Sequence, residues 1–453
     1  MENVTDEIRE LKRKLDSEDY SGVQRMLREF EAADLASRWS EFSEKESLRL
    51  IGILSFEKKL KIFERLPFQQ QTEIMQNIQN RLLGRLLNEM APDDRVDLFE
   101  QLSEEYAEQL FSLMDSREVE DVKELLEYDR ECAGGKMTTE FVLLHPGMSN
   151  REALMKLQKE IITEEVRNIY DLYLVDENGR VTGRISLQRM IASEPEGKVE
   201  DIAVPVDKFI VSVDQDQEEV ARLFTRYELL SAPVVDEEGV IKGVITIDDV
   251  VEIIHQEASE DIARMAGTHQ EELMSKSVMR IFRIRWPWLF ASWIGGIGAL
   301  AIIGAFEETL AQAVAVAAFI PVIMGMGGNI GVQSSTIVVR GIALGRVDIS
   351  TLWRSVYKEI RIGLLLGLSY GVLLGIVAHL RYAEAESMAM IGLVAGMGIC
   401  LSMTIAASLG ALLPLVFQKL NIDPAVATGP VVTTGIDIVG LTIYFSLASI
   451  LLL

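Results

Sequence analysis

Apolar residues in the last part of the chain gather into five long runs, at 286–305, 312–338, 362–380, 388–417 and 424–452. Each is long enough for a hydrocarbon core that needs about 20 helical residues to cross. Residues 1–130 follow a different pattern. Apolar positions there recur at helical spacing, as at Ile8, Leu11 and Leu15, and again at Leu98, Leu102, Leu110 and Leu113. Helix-start signals return in LPFQQQ at Leu66, MAPDDR at Met90 and LSEEYA at Leu102, which predicts short helices stacked as a small superhelix.

A duplicated pattern lies between these regions. DLYLVDENGRVTGRISLQRMI and SAPVVDEEGVIKGVITIDDVV align strand for strand, with Gly179 and Gly183 matched 60 residues later by Gly239 and Gly243. Each copy predicts a strand, a tight turn at its first glycine, a second strand and a helix. A further helix precedes each copy, around 150–162 and 216–227, entered through Ser149-Asn150 and Asp214-Gln215-Asp216. This βαββα unit, present twice, resembles a tandem pair of CBS domains, a module that binds adenine nucleotides. Its ribose pattern, Ser or Thr followed three residues later by Asp, is met by Thr246 and Asp249. In the first copy Ser186 is followed by Gln188 and Arg189, so the acid is missing. Asp249 is equally well placed to cap a helix.

Charge divides the chain at the start of the apolar runs. From Ile284 onward eight acids (Glu307, Glu308, Asp348, Glu359, Glu384, Glu386, Asp423, Asp437) balance eight bases, so the formal charge of −25 lies entirely ahead of them. An acidic surface excludes nucleic acid, which needs a basic footprint. Divalent cations are its natural counter-ligand, although solvation alone accounts for any single one of these acids. The two cysteines, Cys132 and Cys400, sit in different regions and make no disulfide framework. The four histidines, among them His145, His255 and His269, have no metal-ligand spacing, and no nucleophile motif stands out, so no enzyme is expected.

MENVTDEIRELKRKLD lacks the apolar core of a secretory leader. Arg280, Arg283 and Arg285 precede the first run, Arg340, Arg346, Arg354, Lys358 and Arg361 separate the second from the third, and Lys419 separates the fourth from the fifth. The alternate loops carry Glu307 and Glu308, then Arg381 with Glu384 and Glu386. The positive-inside rule therefore predicts a multi-pass plasma-membrane protein with a cytosolic N-terminal region and its C-terminus outside. Trp286, Trp288 and Trp293 at the entry of the first run fit an interfacial belt.

Within the fifth run Asp437 is the single carboxylate in an otherwise lipid-compatible stretch. A charge at a helix centre in the bilayer costs about 2.5–3.5 kcal/mol on insertion scales, so such a residue reads as functional by default, with packing against a neighbouring helix as the alternative. Thr428, Gly429, Pro430, Thr433, Thr434 and Gly435 crowd the same half of the run, which predicts irregular backbone. The second run, FIPVIMGMGGNIGVQSSTIVVR, is likewise expected to depart from a plain helix at Pro321, Gly325, Gly327, Gly328 and Gly331. Asn329 and Gln333, one turn apart, point to a lining face, while the glycines fit helix packing equally well.

Taken together, an acidic helical domain, a CBS pair, a connecting helix and five spans carrying GGNIGVQSS and TTGIDIVGL resemble the MgtE family of magnesium channels and transporters over essentially the whole chain. The resemblance implies an α-helical membrane protein with five transmembrane helices, preceded by an all-α superhelical domain and an α/β tandem CBS pair. Its parts would be 1–130 (helical domain), 131–254 (CBS pair), 255–283 (connecting plug helix) and 284–453 (pore domain).

It also implies a homodimer with one Mg²⁺ pore on its two-fold axis. Asp437 would help to hold the ion, with Thr433 as a backbone-oxygen candidate and Asp423 at the cytosolic mouth. The cytosolic domains would bind regulatory Mg²⁺ at Asp93 and Asp97, at Asp216, Glu218 and Glu228, and at Asp249, Glu252, Glu257, Glu260 and Asp261. Bare carboxylates repel, and bound divalents would bridge them into a compact closed form. One acidic sensor position of the family falls on Lys61, and Glu stands for Asp at Glu228 and Glu252. Mg²⁺ keeps its waters and takes few protein ligands, which suits an Asp with amide and carbonyl oxygens, and ATP is the expected nucleotide of the CBS pair. A membrane-anchored nucleotide sensor and an ion-coupled divalent carrier remain as rivals.

Overall fold

The structure is a computed structural model that describes residues 2–163, 169–270, 272, 275, 277–345, 347, 352–382 and 390–452. Arg346, Asp348, Glu384 and Glu386, which entered the charge and loop comparison, lie outside the described residues. The chain divides into two units, Met1–Ile253 and Ile254–Leu453.

The first unit begins with short helices: α1 (Glu2–Asp16), α2 (Tyr20–Glu29), α3 (Ala32–Ser37), α4 (Glu44–Ile53), α5 (Phe56–Arg65), α6 (Phe68–Asn77), α7 (Asn80–Glu89), α8 (Pro92–Glu100), α9 (Glu104–Phe111) and α10 (Ser116–Leu125). Helices this short are marginal alone and persist by packing their apolar faces. Leu11, Leu35, Leu50, Phe63, Leu87 and Val96 meet in one core that continues into the second half of the unit through Phe224, Ile245 and Val250. Local signals set the starts. Ser43 and Glu46 close a capping box ahead of α4, and Pro92 opens α8, where the missing N–H is no loss.

The repeat forms two three-stranded sheets with the same topology. In the first, β1 (Leu143–Leu144) runs parallel to β2 (Asp171–Val175), which pairs antiparallel with β3 (Val181–Ser186). In the second, β4 (Val211–Ser212), β5 (Ser231–Val235) and β6 (Ile241–Thr246) repeat the order, and the register slips at the matching position in each. The hairpins turn on Asp176 and Asp236, whose carboxylates accept the backbone N–H two and four residues on. The turns place Gly179 at φ +79° and Gly239 at φ +82°, the left-handed region that glycine enters without penalty. The helices of the repeat are α11 (Asn150–Ile162), α12 (Leu187–Ile191), α13 (Val199–Ile202), α14 (Gln217–Tyr227) and α15 (Ile247–Met265).

Among its described residues the second unit carries five helices long and apolar enough to cross a membrane: Val278–Ala305, Val314–Ala343, Trp353–Tyr382, Ile391–Lys419 and Pro424–Leu452. The expected irregularity of the second span is confined to its entry. A 3₁₀ turn over Val314–Phe319 leads into one unbroken α-helix, Ile320–Ala343, that contains every glycine of the run. The fifth span likewise has a 3₁₀ segment, Pro424–Thr428, and then a continuous helix, Pro430–Leu452, through Thr433, Gly435 and Asp437. Hydrocarbon offers no partner to a freed N–H or C=O, so helix propensity measured in water yields to internal hydrogen bonding.

What glycine does here is admit neighbouring backbone. Gly363, Gly367, Gly371 and Gly375, spaced by four, face the fourth span, and a Cβ at Gly371 would lie 2.7 Å from the Gly396 carbonyl oxygen. Gly331 and Gly410 touch backbone to backbone between the second and fourth spans. Such seams hold membrane helices together by close packing and weak contacts, without a hydrophobic drive. Gly371→Leu, which pushes a side chain into a backbone carbonyl, is expected to cost about 3 kcal/mol, the upper end for overpacking. Thermal unfolding of the detergent-solubilised protein should show it as a clearly lowered Tm. Val372→Leu, at a site 61% exposed, should leave the midpoint unmoved.

Candidate functional site

Asp437 stands one turn after Thr433 on the fifth helix, and both are half-buried. Ile436 beside it is buried against Gly327 and Gly331 of the second span, Thr434 packs on Gly295 of the first, and Gly440 on Ser402 of the fourth. Three neighbouring helices thus fix the rotation of this one. Among the described residues no donor or cation is recorded on the Asp437 carboxylate. The Thr433 hydroxyl donates to Gly429 O at 3.4 Å and Pro430 O at 3.3 Å, so its own oxygen is turned back onto the first turn.

The second span has two faces. Gly327, Gly331, Ser334 and Ser335 are buried, with the Ser335 hydroxyl 3.1 Å from that of Thr428. Asn329 and Gln333 are exposed in the single chain, beside Gly325 and Gly328, which have open space where a Cβ would be. The glycines therefore divide between packing and an open face, and the two amides share that face.

The end of α15 meets the start of the fifth span. Arg264 bonds both Glu260, on its own helix, and Asp423, which also caps the 3₁₀ segment by accepting from Ala425 N at 2.7 Å. Gly267 lies against Trp288 and Pro430, and Gly429 sits near the carbonyls of Arg264 and Met265. Glu257, Glu260 and Asp261 are all half-buried on the same stretch of helix. The cation on Asp423 is thus supplied by the chain itself, a pairing across 159 residues that no local spacing signals.

Within the first unit α8 and α15 bring carboxylates face to face. Asp93 and Asp249 share a hydrogen bond, and Asp94 feels Glu64, Asp249, Asp97 and Glu252. Burial first, and like charge next, push Asp93 from 3.8 to about 7, Asp94 to about 8 and Asp249 to about 9. Glu64 and Asp94 are members that sequence reading missed. Glu64 follows Lys61 by one turn of α5 and acts on Asp94, whereas Lys61 pairs with Glu57 at 2.8 Å.

The remaining acids are scattered. Asp97 lies 3.9 Å from Arg130 and 3.7 Å from Lys136. Asp216 caps α14 by accepting from Glu218 N at 2.8 Å, Glu218 pairs with Arg222 at 2.6 Å, and Glu228 closes the other end of that helix in the left-handed region. Asp216 and Glu228 thus stand at opposite ends of a helix about 16 Å long. Asp249 accepts from the Thr246 hydroxyl at 2.8 Å, and Asp248 meets the same hydroxyl. Ser186 caps α12 by accepting from Arg189 N. Among the described residues no three His, Cys, Asp or Glu side chains converge closely enough to hold a metal directly. The cluster at Asp93 and Asp249 suits an ion that keeps its water and is bridged through it.

Acids whose folded pKa is raised stabilise the fold at low pH and lose that contribution as pH rises through the folded value. The thermal midpoint of the divalent-free protein should therefore fall between about pH 5 and pH 9, through the window set by about 7, 8 and 9. Added Mg²⁺ should raise it more at pH 9 than at pH 5, as scanning calorimetry of the N-terminal unfolding transition would show. An equal Mg²⁺ effect at both pH values would remove the cluster as a divalent site.

A family model described as a divalent cation transporter, MgtE, matches residues 320–447, the MgtE intracellular N domain matches 30–131, and a CBS domain matches 199–256. The magnesium transporter MgtE of Thermus thermophilus is 33% identical over 448 residues, 98% of each chain. The chain belongs to the MgtE family. The Bacillus subtilis magnesium transporter MgtE is 32% identical over 94% of this chain and 92% of that protein. A crystal structure of the cytosolic domain of the Mg²⁺ channel MgtE in complex with ATP superposes with TM-score 0.51 at 32% identity, covering 54% of this chain and 98% of that one. The soluble part of a magnesium transporter gives TM-score 0.51 at 26% identity, covering 56% and 99%. MgtE is thus a family of transporters rather than enzymes, and the five spans and the repeated sheets carry its architecture here. The CBS family model covers the copy that keeps Thr246 and Asp249.

Proposed function

We propose that this MgtE-family chain is a homodimeric Mg²⁺ channel of the plasma membrane, with its acidic domains in the cytosol and its C-terminus outside, and that cytosolic Mg²⁺ closes it. The observation that carries the reading is Asp437: a carboxylate within an apolar span of a divalent cation transporter family, held in place by three helices and, among the described residues, without a donor or cation on it. Asn329 and Gln333 support the second copy, because exposed amides on a membrane helix are costly against lipid and suit a partner or a water-filled path. Asp437 from each copy, with Thr433 one turn before it and the amide face alongside, offers few and hard oxygen ligands to an ion that stays largely hydrated.

Regulation rests on the carboxylates of α8 and α15. At neutral pH Asp93, Asp94 and Asp249 pay for their proximity in protons or repulsion, and a divalent ion relieves both. Asp97, Glu252, Glu257, Glu260, Asp261, Asp216, Glu218 and Glu228 would extend the same response. ATP at Thr246 and Asp249 would draw on a carboxylate that Asp93 also uses, so nucleotide and divalent would act on one residue. The direct test is uptake of Mg²⁺ into proteoliposomes at low internal Mg²⁺. Uptake above that of protein-free vesicles is expected, and its absence from folded protein in both insertion orientations would favour a nucleotide sensor.

A further inference from the structure

Among the described residues of the membrane region Glu359 is the buried acid. It is 6% exposed, whereas Asp423 and Asp437 are half-buried and Glu307 and Glu308 exposed. Its position follows from the glycine seam of the third span. Gly363, Gly367 and Gly371 recur every four residues on the buried side, and one step back along that row falls on Glu359, with buried Val356 beside it. Around it Val338, Ile342, Val356, Ala411 and Leu415 form an apolar cluster of the second, third and fourth spans. A carboxylate is costly to set in such a seam. It accepts a bond from the second span, where Ser334 Oγ donates to Glu359 Oε2 at 2.8 Å.

Ser334 directly follows Gln333, and successive residues of a helix point about 100° apart. The bond to Glu359 therefore sets the rotation of the second span and with it the aim of Asn329 and Gln333. Gly331 against Gly410 fixes how closely that helix approaches, and Ser335 against Thr428 ties it to the fifth-span entry, yet glycine contacts are smooth and tolerate rotation. We infer that Glu359 is a positioning residue: held by Ser334, it locks the second span so that the Asn329 and Gln333 amides face the ion path. This rests on the proposed channel reading.

Two measurements separate the inference from that reading. Modification of Gln333→Cys by a charged, water-soluble thiol reagent reports the aim of the face without ion flux, with Cys132 and Cys400 giving the baseline. Adding Glu359→Ala should slow it at least about fivefold, and Glu359→Gln, whose amide oxygen still accepts from Ser334, should restore it. Mg²⁺ uptake per folded protein should follow, lost in Glu359→Ala with a changed Co²⁺ to Mg²⁺ ratio and kept in Glu359→Gln. Unchanged thiol rates in Glu359→Ala overturn the inference, and so does a Gln variant as impaired as Ala, which would make the charge itself the requirement. Altered thiol rates in Glu359→Ala beside a folded wild type that conducts nothing would sink the channel reading alone.

Discussion

Asp437→Asn should abolish Mg²⁺ uptake into proteoliposomes, with a drop of at least about a hundredfold, since about 1.4 kcal/mol of lost ion stabilisation per tenfold is readily exceeded when a formal charge leaves a low-dielectric site. The side chain keeps its size, and among the described residues no bond depends on its charge, so the protein should purify and unfold as wild type does. An Asn variant that conducts normally would place the ion elsewhere. A variant that fails to fold would make Asp437 a packing residue.

Arg264→Ala should open the protein at low cytosolic Mg²⁺. Arg264 satisfies Glu260 and Asp423 together, and its loss leaves those two carboxylates facing each other where the connecting helix meets the fifth span. Hydrogen bonds to charged groups contribute about 1.5–3 kcal/mol, and partial exposure reduces this to about 1 kcal/mol here, a shift of roughly fivefold in a closed-to-open ratio. Basal uptake should rise by that factor, inhibition by cytosolic Mg²⁺ should become steeper as the ion takes the vacated position, and Arg264→Lys should recover part of the closure. Unchanged basal uptake would show that the contact does not hold the closed form.

The spans were legible because lipid imposes near-uniform apolarity, against which Asp437 stands out. The repeated sheets were legible because the Asp176 and Asp236 turns and their glycines recur at fixed offsets. What stayed hidden depends on contacts distant in sequence. Glu359 entered the sequence reading only as one charge among eight, since its burial follows from a seam that becomes visible once Gly363 meets Ala407. Glu64 and Asp94 join Asp249 only when α5, α8 and α15 are stacked. The glycine and proline content of the second and fifth spans predicts irregular backbone, but these residues admit neighbouring helices at little cost when the backbone must bond to itself.

The central claim, a Mg²⁺ path closed by Mg²⁺ on the cytosolic side, is tested most directly by current through excised inside-out membrane patches as Mg²⁺ in the bath is raised from micromolar to millimolar. A Mg²⁺ current that falls cooperatively over this range is expected, with a fall that weakens when Asp93 and Asp249 are replaced by Asn. A current indifferent to bath Mg²⁺, or one that grows with it, would contradict it.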